Sequence, residues 1–110
     1  MCRQVLIEVK PSRRHNVGGF ALQPIPKGTR FTTNIPNGFR GFNYDANPNA
    51  VPINAIEVEP SRFRAETLAL RGIRKGDEIV YPPYQGDAKK SFRQALDSHG
   101  FKDFELRQFG

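Results

Sequence analysis

The segment Leu68–Tyr84, LALRGIRKGDEIVYPPY, decides the fold, because an earlier segment of the chain repeats its first part. Phe20–Phe31 (FALQPIPKGTRF) aligns without a gap with Leu68–Ile79 (LALRGIRKGDEI). The second segment begins 48 residues after the first. Each copy reads as a strand, a short polar crossing, a Lys-Gly turn and a second strand, since glycine reaches positive φ at no steric cost. The repeat predicts two similar β-elements around a pseudo-two-fold axis, although strand–turn–strand segments also recur by chance. The identical pairs are Ala21/Ala69, Leu22/Leu70, Ile25/Ile73, Lys27/Lys75 and Gly28/Gly76.

Length and composition predict one domain that is mostly β. The chain has 110 residues, enough to bury a core without a metal or a disulfide. Ten glycines and nine prolines favour many turns and short strands over long helices. Nine phenylalanines and no tryptophan predict a core dominated by phenylalanine.

The pattern of apolar residues predicts several strands and one helix. Phe63 and Ala65 alternate with charged neighbours, which is typical of a half-buried strand. The helix has a capping residue before it, Asp87, and a closing glycine after it, Gly100. Phe42–Asn49 reads as irregular. The predicted strands are Arg3–Lys10, Gly18–Leu22, Gly28–Thr33, Val51–Val58, Arg62–Leu70 and Glu78–Tyr81, and the helix is Ala88–His99. We expect residues 87–110, helix and Phe-rich tail, to pack on a domain formed by residues 1–86.

The net charge of +6 is concentrated in the first half of the chain. Residues 1–50 carry seven Lys and Arg against two acidic residues. A positive surface around Arg13, Arg14 and His15 would attract a nucleic acid, an acidic protein or a small anionic cofactor, or would be a solvated face. Aromatic residues are not interleaved with the cations as a stacking platform would need, which favours a solvated face over specific nucleic-acid binding.

Cysteine and histidine usage argues against several kinds of site. Cys2 is the single cysteine, which excludes an intramolecular disulfide and a zinc-binding cysteine cluster. His15 and His99 have no metal-ligand spacing, so no metal site is expected, and His99 is expected to cap helix carbonyls. With no signal-peptide or membrane-spanning pattern, we expect a cytoplasmic location, or a nuclear one in a eukaryotic or viral setting.

Three blocks in order resemble the SET domain, the β-clip fold of protein-lysine methyltransferases. They are NVGGFALQPIPKGTRF (Asn16–Phe31), FNYDANPNA (Phe42–Ala50) and LALRGIRKGDEIVYPPY (Leu68–Tyr84). Together they are similar to the family's GxGxxA, NHSxxPN and AxRxIxxGEE[IL] motifs. Asn16 replaces the first glycine and Tyr44 the usual histidine. The matching residues are Gly18, Asn43, Pro48, Asn49, Ala69, Arg71, Ile73, Gly76, Glu78 and Ile79.

The resemblance implies an S-adenosylmethionine-dependent methyltransferase acting on lysine side chains of a protein substrate. The family's catalytic tyrosine aligns with Pro83, so the resemblance gives Tyr84 as the first catalytic candidate and Tyr81 as the second. Both could instead be amphipathic tyrosines at the edge of the core. Arg13 or Arg14 could meet the cofactor's carboxylate. The implied cofactor-binding residues are Asn16, Gly18, Gly19, Phe20, Asn43 and Tyr44.

One departure from the family leaves other functions open. The long segment that builds the family's substrate groove is reduced here to Thr32–Gly41. The C-terminal helix and tail, or a partner chain, would have to supply that groove. The alternatives are a non-catalytic SET-like module for an anionic partner, either nucleic acid or acidic protein, and a structural homodimer formed through Phe101–Gly110.

Overall fold

The computed structural model describes residues 3–37, 39, 41–59 and 62–104. Within these ranges the chain consists mainly of short strands with a helix near the end, which confirms the predicted mostly β fold. The predicted turn at residues 59–61 and the end of the tail lie partly or wholly outside the described residues. The strands are β1 (Arg3–Val5), β2 (Ile7–Pro11), β3 (Val17–Ala21), β4 (Arg30–Thr33), β5 (Asn43–Tyr44), β6 (Ala50–Glu59), β7 (Arg62–Ala69) and β8 (Val80–Tyr81), and the helix is α1 (Ala88–Ser98).

The strands form three small sheets. The largest has the order β1-β4-β7-β6, with β1 parallel to β4 and the other neighbours antiparallel. The strands β2 and β3 form an antiparallel hairpin. The short strands β5 and β8 pair in parallel and bring together two segments that are far apart in sequence.

The two copies of the repeat pair with each other through equivalent backbone bonds. The Gly28 amide donates to the Ala69 carbonyl at 2.8 Å, and the Gly76 amide donates to the Ala21 carbonyl at 2.7 Å. Both glycines have positive φ, +85° and +91°, as the Lys-Gly turns require. Each turn thus closes onto the first strand of the other copy.

Ile25 and Ile73 lie at the pseudo-two-fold axis that relates the two copies of the repeat. Each amide donates to the other's carbonyl at 2.8 Å, and both side chains are buried. The Ala21 amide reaches the Asp77 carbonyl at 2.9 Å, and its counterpart at Ala69 reaches Thr29 at 3.0 Å. The predicted pseudo-two-fold pairing is therefore confirmed.

The core has two apolar clusters, one on each side of the β6–β7 pair. The Phe-dominated core was a wrong prediction, because branched aliphatic residues fill most of both clusters. Among the phenylalanines whose burial is described, Phe31 and Phe92 are buried. The first cluster is Val5, Ile7, Ala21, Ile25, Phe31, Ala50, Ala69, Ile73, Ile79 and Tyr81. The second is Val51, Ile53, Leu68, Leu70, Phe92, Ala95 and Leu96.

The helix α1 covers the second cluster and has the predicted ends. The Asp87 carboxylate accepts a bond from the Lys90 amide at 3.0 Å, the N-cap arrangement. The His99 ring lies 2.8 Å from the Ala95 carbonyl through Nδ1, which confirms its predicted contact with helix carbonyls. After the helix, the Arg93 guanidinium donates to the carbonyls of Phe101 and Phe104 and holds the start of the tail against α1.

Two predicted elements differ in the structure because the chain changes partners. The predicted strand Arg3–Lys10 is divided at Leu6, since β1 pairs with β4 whereas β2 pairs with β3. The supposedly irregular segment Phe42–Asn49 contains β5, because the backbone of β8 provides a partner that overrides the local preferences. The predicted strand Glu78–Tyr81 is shortened to β8, and Glu78 forms an isolated bridge with Phe20.

The predicted facing of β7 is wrong at Glu66. This side chain was expected to face solvent, but the residue is buried and its carboxylate lies 3.3 Å from Arg30 Nε. The neighbouring strand β4 brings Arg30 beside this part of β7. A charged partner from β4 makes burial of the carboxylate tolerable.

Candidate cofactor site

The short strand β5 places Asn43 at the centre of the candidate site. The residue is 9% exposed and pairs with Val80 of β8. Its amide nitrogen lies 3.1 Å from the His15 carbonyl, 3.2 Å from the Val17 carbonyl and 2.8 Å from Glu78 Oε2. These contacts fix the amide against the loop that precedes β3.

The other end of the Asn43 amide has an unused acceptor. In the described part of the chain, no donor lies within hydrogen-bonding distance of Asn43 Oδ1, whereas the nitrogen has three acceptors around it. A buried acceptor without a donor is costly and rare in proteins. The oxygen can therefore receive a donor group from a bound molecule, as the amino groups of S-adenosylmethionine would provide.

The two glycines of β3 leave room for protein side chains on either side of the strand. A Cβ atom at Gly18 would overlap the Glu78 carboxylate. One at Gly19 would lie 2.7 Å from the Phe42 ring and 3.1 Å from the Phe39 ring. The sequence predicted a close approach at these glycines, and the groups that approach are the Glu78 carboxylate and the two phenylalanine rings.

The Glu78 carboxylate ties the third sequence block to the second block and to the loop before β3. Its Oε1 atom accepts from Ser12 Oγ at 2.8 Å and from the Arg14 guanidinium at 2.9 Å, while Oε2 accepts from Asn43. The side chain is almost fully buried, and these donors compensate its charge. Sequence comparison matched Glu78 to a motif but gave it no role, because its partners Ser12 and Arg14 are distant in sequence.

Arg14 is occupied by carboxylates of the chain itself. Its Nε atom lies 2.7 Å from Asp45 Oδ2, and its other branch reaches Glu78. The hydrogen bond to Asp45 raises the pKa of Arg14. The hydrogen bond from the Asn47 backbone amide lowers the pKa of Asp45 most, and the hydrogen bond from Arg14 lowers it further. Arg14 thus braces the loop before β3 against the segment after β5.

The two candidate catalytic tyrosines occupy different environments. Tyr81 lies in the first cluster, and its hydroxyl is 2.8 Å from Thr67 Oγ1. Burial raises the pKa of Tyr81, which keeps the hydroxyl protonated. Tyr84 is 46% exposed, and its ring packs edge-on against Tyr44 and Phe92, with centroids 5.8 Å away in both cases.

Tyr44 links Tyr84 to the Asn43 strand. It follows Asn43 in β5 and is 51% exposed. Partial burial first, and then the electrostatic effect of the adjacent Tyr84, raise the pKa of Tyr44. The structure therefore brings Tyr84, and not Tyr81, to the exposed side of β5.

The remaining predicted residues divide between two surfaces. Asn16 has a φ of +40° in the exposed loop before β3, with its amide 3.3 Å from the His15 ring. Phe20 is half-buried two residues after Gly18 in β3, and Lys10 Nζ lies 4.5 Å above its ring. The Asn43 amide contacts the carbonyls of His15 and Val17, which flank Asn16, whereas Phe20 lines a basic cleft that also includes Arg14 and Glu78.

Comparisons with known proteins identify the fold. A crystal structure of a Plasmodium falciparum protein designated a histone methyltransferase matches with a TM-score of 0.53 and 20% identity, over 73% of this chain and 94% of that one. A humanized mutant of the Chaetomium thermophilum Polycomb Repressive Complex 2 matches with a TM-score of 0.51 and 16% identity, over 88% of this chain and 16% of that one. These neighbours have SET domains.

The fold is SET-like. No family model and no curated protein matches the chain, so the likeness concerns the fold alone. In the described part of the chain, no helix is long and apolar enough to cross a membrane. The same residues contain no cluster of three or more His, Cys, Asp or Glu side chains able to hold a metal ion.

Proposed function

We propose that the chain is a small SET-like protein-lysine methyltransferase. The proposal rests on Asn43, at the edge formed by β5 and the loop before β3, whose buried amide oxygen has no donor among the described residues. The SET-like fold supports the proposal, since the matching asparagine belongs to the motif on which the resemblance depends. S-adenosylmethionine is the molecule that we expect at this edge.

The residues around this edge fit the cofactor's polar groups. Asn43 Oδ1 would accept from an amino group, while Nδ2 stays bonded to the His15 and Val17 carbonyls and keeps the oxygen oriented. When bound, S-adenosylmethionine supplies an electrophilic methyl group on a sulfonium. The residues of this edge would hold the amine of a substrate lysine in line with that methyl group.

The tyrosine pair would position the lysine without acting as its base. The raised pKa of Tyr44 keeps that hydroxyl protonated at neutral pH, so it is suited to hydrogen bonding and not to proton removal. The edge-on ring contact of Tyr44 with Tyr84 fixes the two rings relative to each other. The substrate amine must lose its proton before transfer, and a desolvated site favours this by lowering the lysine pKa.

A groove at Pro83, the residue before Tyr84, offers a place for the substrate peptide. It has a volume of about 320 Å³ and lies between α1 and the segment that carries Pro82 and Pro83. Ala95 of α1 and His99, the residue that follows the helix, line its other side. The helix would thus supply the surface that relatives build from the segment shortened here to residues 32–41.

Methyl transfer from radiolabelled S-adenosylmethionine to a panel of lysine-containing proteins tests this function. We expect transfer by the wild type and at least a tenfold lower rate in Tyr84→Phe, since positioning groups typically contribute about that much or more. Tyr81→Phe is the matched control, because it removes a hydroxyl that contacts Thr67 in the core. Equal rates in the wild type and Tyr84→Phe would exclude Tyr84, and no transfer to any protein of the panel would count against the enzyme.

A further inference from the structure

A second cleft, which shares Arg14 and Glu78 with the candidate site, is strongly basic. It has a volume of about 440 Å³. Five cationic side chains and two acidic ones line it. The cations are Lys10, Arg13, Arg14, Arg71 and Arg74, and the acidic residues are Asp77 and Glu78.

The acidic residues of the cleft neutralise two of the five cations. Glu78 binds Arg14 at 2.9 Å, and Asp77 lies 3.6 Å from Arg74. In the described part of the chain, no carboxylate is in ion-pair contact with Lys10, Arg13 or Arg71. Three positive charges therefore remain available for an anion from outside.

Two of these three cations are held in place before any ligand binds. The Arg71 guanidinium donates from Nη2 to the Asn47 carbonyl at 3.2 Å and from Nε to the Pro48 carbonyl at 3.4 Å. These bonds leave its Nη1 group for a ligand. The Lys10 ammonium lies above the Phe20 ring at 4.5 Å, a cation–π contact. A prearranged cation loses less side-chain entropy when an anion binds.

We propose that this cleft binds the backbone of a single-stranded nucleic acid. Positive side chains along a concave groove are the feature that tracks the backbone in such binding. The Phe20 ring serves here to hold one of them, the Lys10 ammonium, in place. The pI of about 9.9 and the grouping of free cations on one face agree with a phosphate-binding surface. An acidic peptide would also satisfy the charges, and a competition experiment separates the two.

Binding of a fluorescent twelve-nucleotide oligothymidylate, measured by anisotropy at several salt concentrations, tests the proposal. With three phosphates neutralised, the plot of log affinity against log salt should have a slope of about −2. The variant Lys10→Ala/Arg13→Ala should bind at least tenfold more weakly at low salt, with a slope smaller by about 1 or more. The control Lys89→Ala/Lys90→Ala removes the same charge from the exposed surface of α1 and should stay within twofold of the wild type.

Three results would overturn the proposal. The first is equal weakening in the cleft variant and the helix control, which would mean attraction to net charge. The second is a polyglutamate peptide that competes as strongly as the oligonucleotide, which would favour an acidic protein. The third is no oligonucleotide binding at low salt. The variant Arg71→Lys keeps the positive charge but loses the forked guanidinium, so weaker oligonucleotide binding by this variant would support the Arg71 contact. This result does not depend on whether the chain transfers methyl groups.

Discussion

At the scale of single residues, the Glu78 carboxylate connects what the sequence showed only as separate motifs. Ser12 and Arg14 come from the loop after β2, and Asn43 comes from β5, yet all three donate to this one side chain. Motif comparison could find Asn43 and Gly18. It could not find the shared carboxylate, because its partners depend on how distant segments meet.

Replacing Glu78 with glutamine should destabilise the folded chain. The new amide group is a donor where two or three donors already converge, so at least one buried contact becomes unfavourable. We expect a loss of roughly 1–3 kcal/mol in the free energy of unfolding, measured by urea denaturation. Asp77→Asn, at the neighbouring and more exposed position, should cost much less, and a loss as large there as at Glu78 would contradict this account.

At the scale of elements, the repeated strand–turn–strand unit is the part of the fold that the sequence predicted best. The identical Lys-Gly turns and the equal spacing indicated a symmetric pair, and the reciprocal bonds between Ile25 and Ile73 form it. The strand β5 could not be predicted, since its Asn-rich segment is extended only by pairing with β8. The division at Leu6 was hidden for the same reason, because an alternating pattern does not reveal a change of partner.

The symmetry of the turns predicts equal effects of equal substitutions. Gly28→Ala and Gly76→Ala each place a side chain at positive φ, +85° and +91°, so each should destabilise by about 1–2 kcal/mol. Gly72→Ala is the control, since its backbone is not in the left-handed region and a Cβ there has open space around it. Thermal unfolding of the three variants gives the comparison. A large loss in one turn glycine and none in the other would show that the halves are not equivalent.

At the scale of the whole molecule, the loop before β3 and the segment after β5 are joined by ion pairs that depend on pH. The pKa of Asp45 is lowered in the folded chain by the Asn47 amide and by Arg14. Its contribution to stability is therefore complete above the ordinary Asp pKa of about 3.9 and is lost as the pH falls through the lower folded value. The chain as a whole should become less stable below about pH 4.

The variant Asp45→Asn isolates that contribution. It should be less stable than the wild type near neutral pH, and the difference should shrink as the pH falls from about 4 toward 2, since the wild-type carboxylate becomes protonated there. Urea midpoints measured between pH 2 and 7 give the two curves. Parallel curves over that range would show that Asp45 does not contribute through its charge.

Cofactor binding distinguishes the proposed enzyme from a SET-like fold without its reaction. The SET-like fold was predictable, because three motifs occur in order along the chain. The positions of the tyrosines were not, since the two prolines between Tyr81 and Tyr84 direct the chain from the core to the surface in a way that no spacing rule gives. The central claim of the proposal is that the edge at Asn43 holds the cofactor.

Calorimetric titration of the chain with S-adenosylmethionine and S-adenosylhomocysteine tests that claim most directly. We expect saturable binding of one molecule per chain and at least tenfold weaker binding in Asn43→Ala, which removes the unpartnered buried oxygen. Circular dichroism shows whether the variant is folded, and Asn43→Ser serves if it is not. Absence of binding to the wild type at millimolar ligand, or equal affinity in a folded Asn43 variant, would contradict the account.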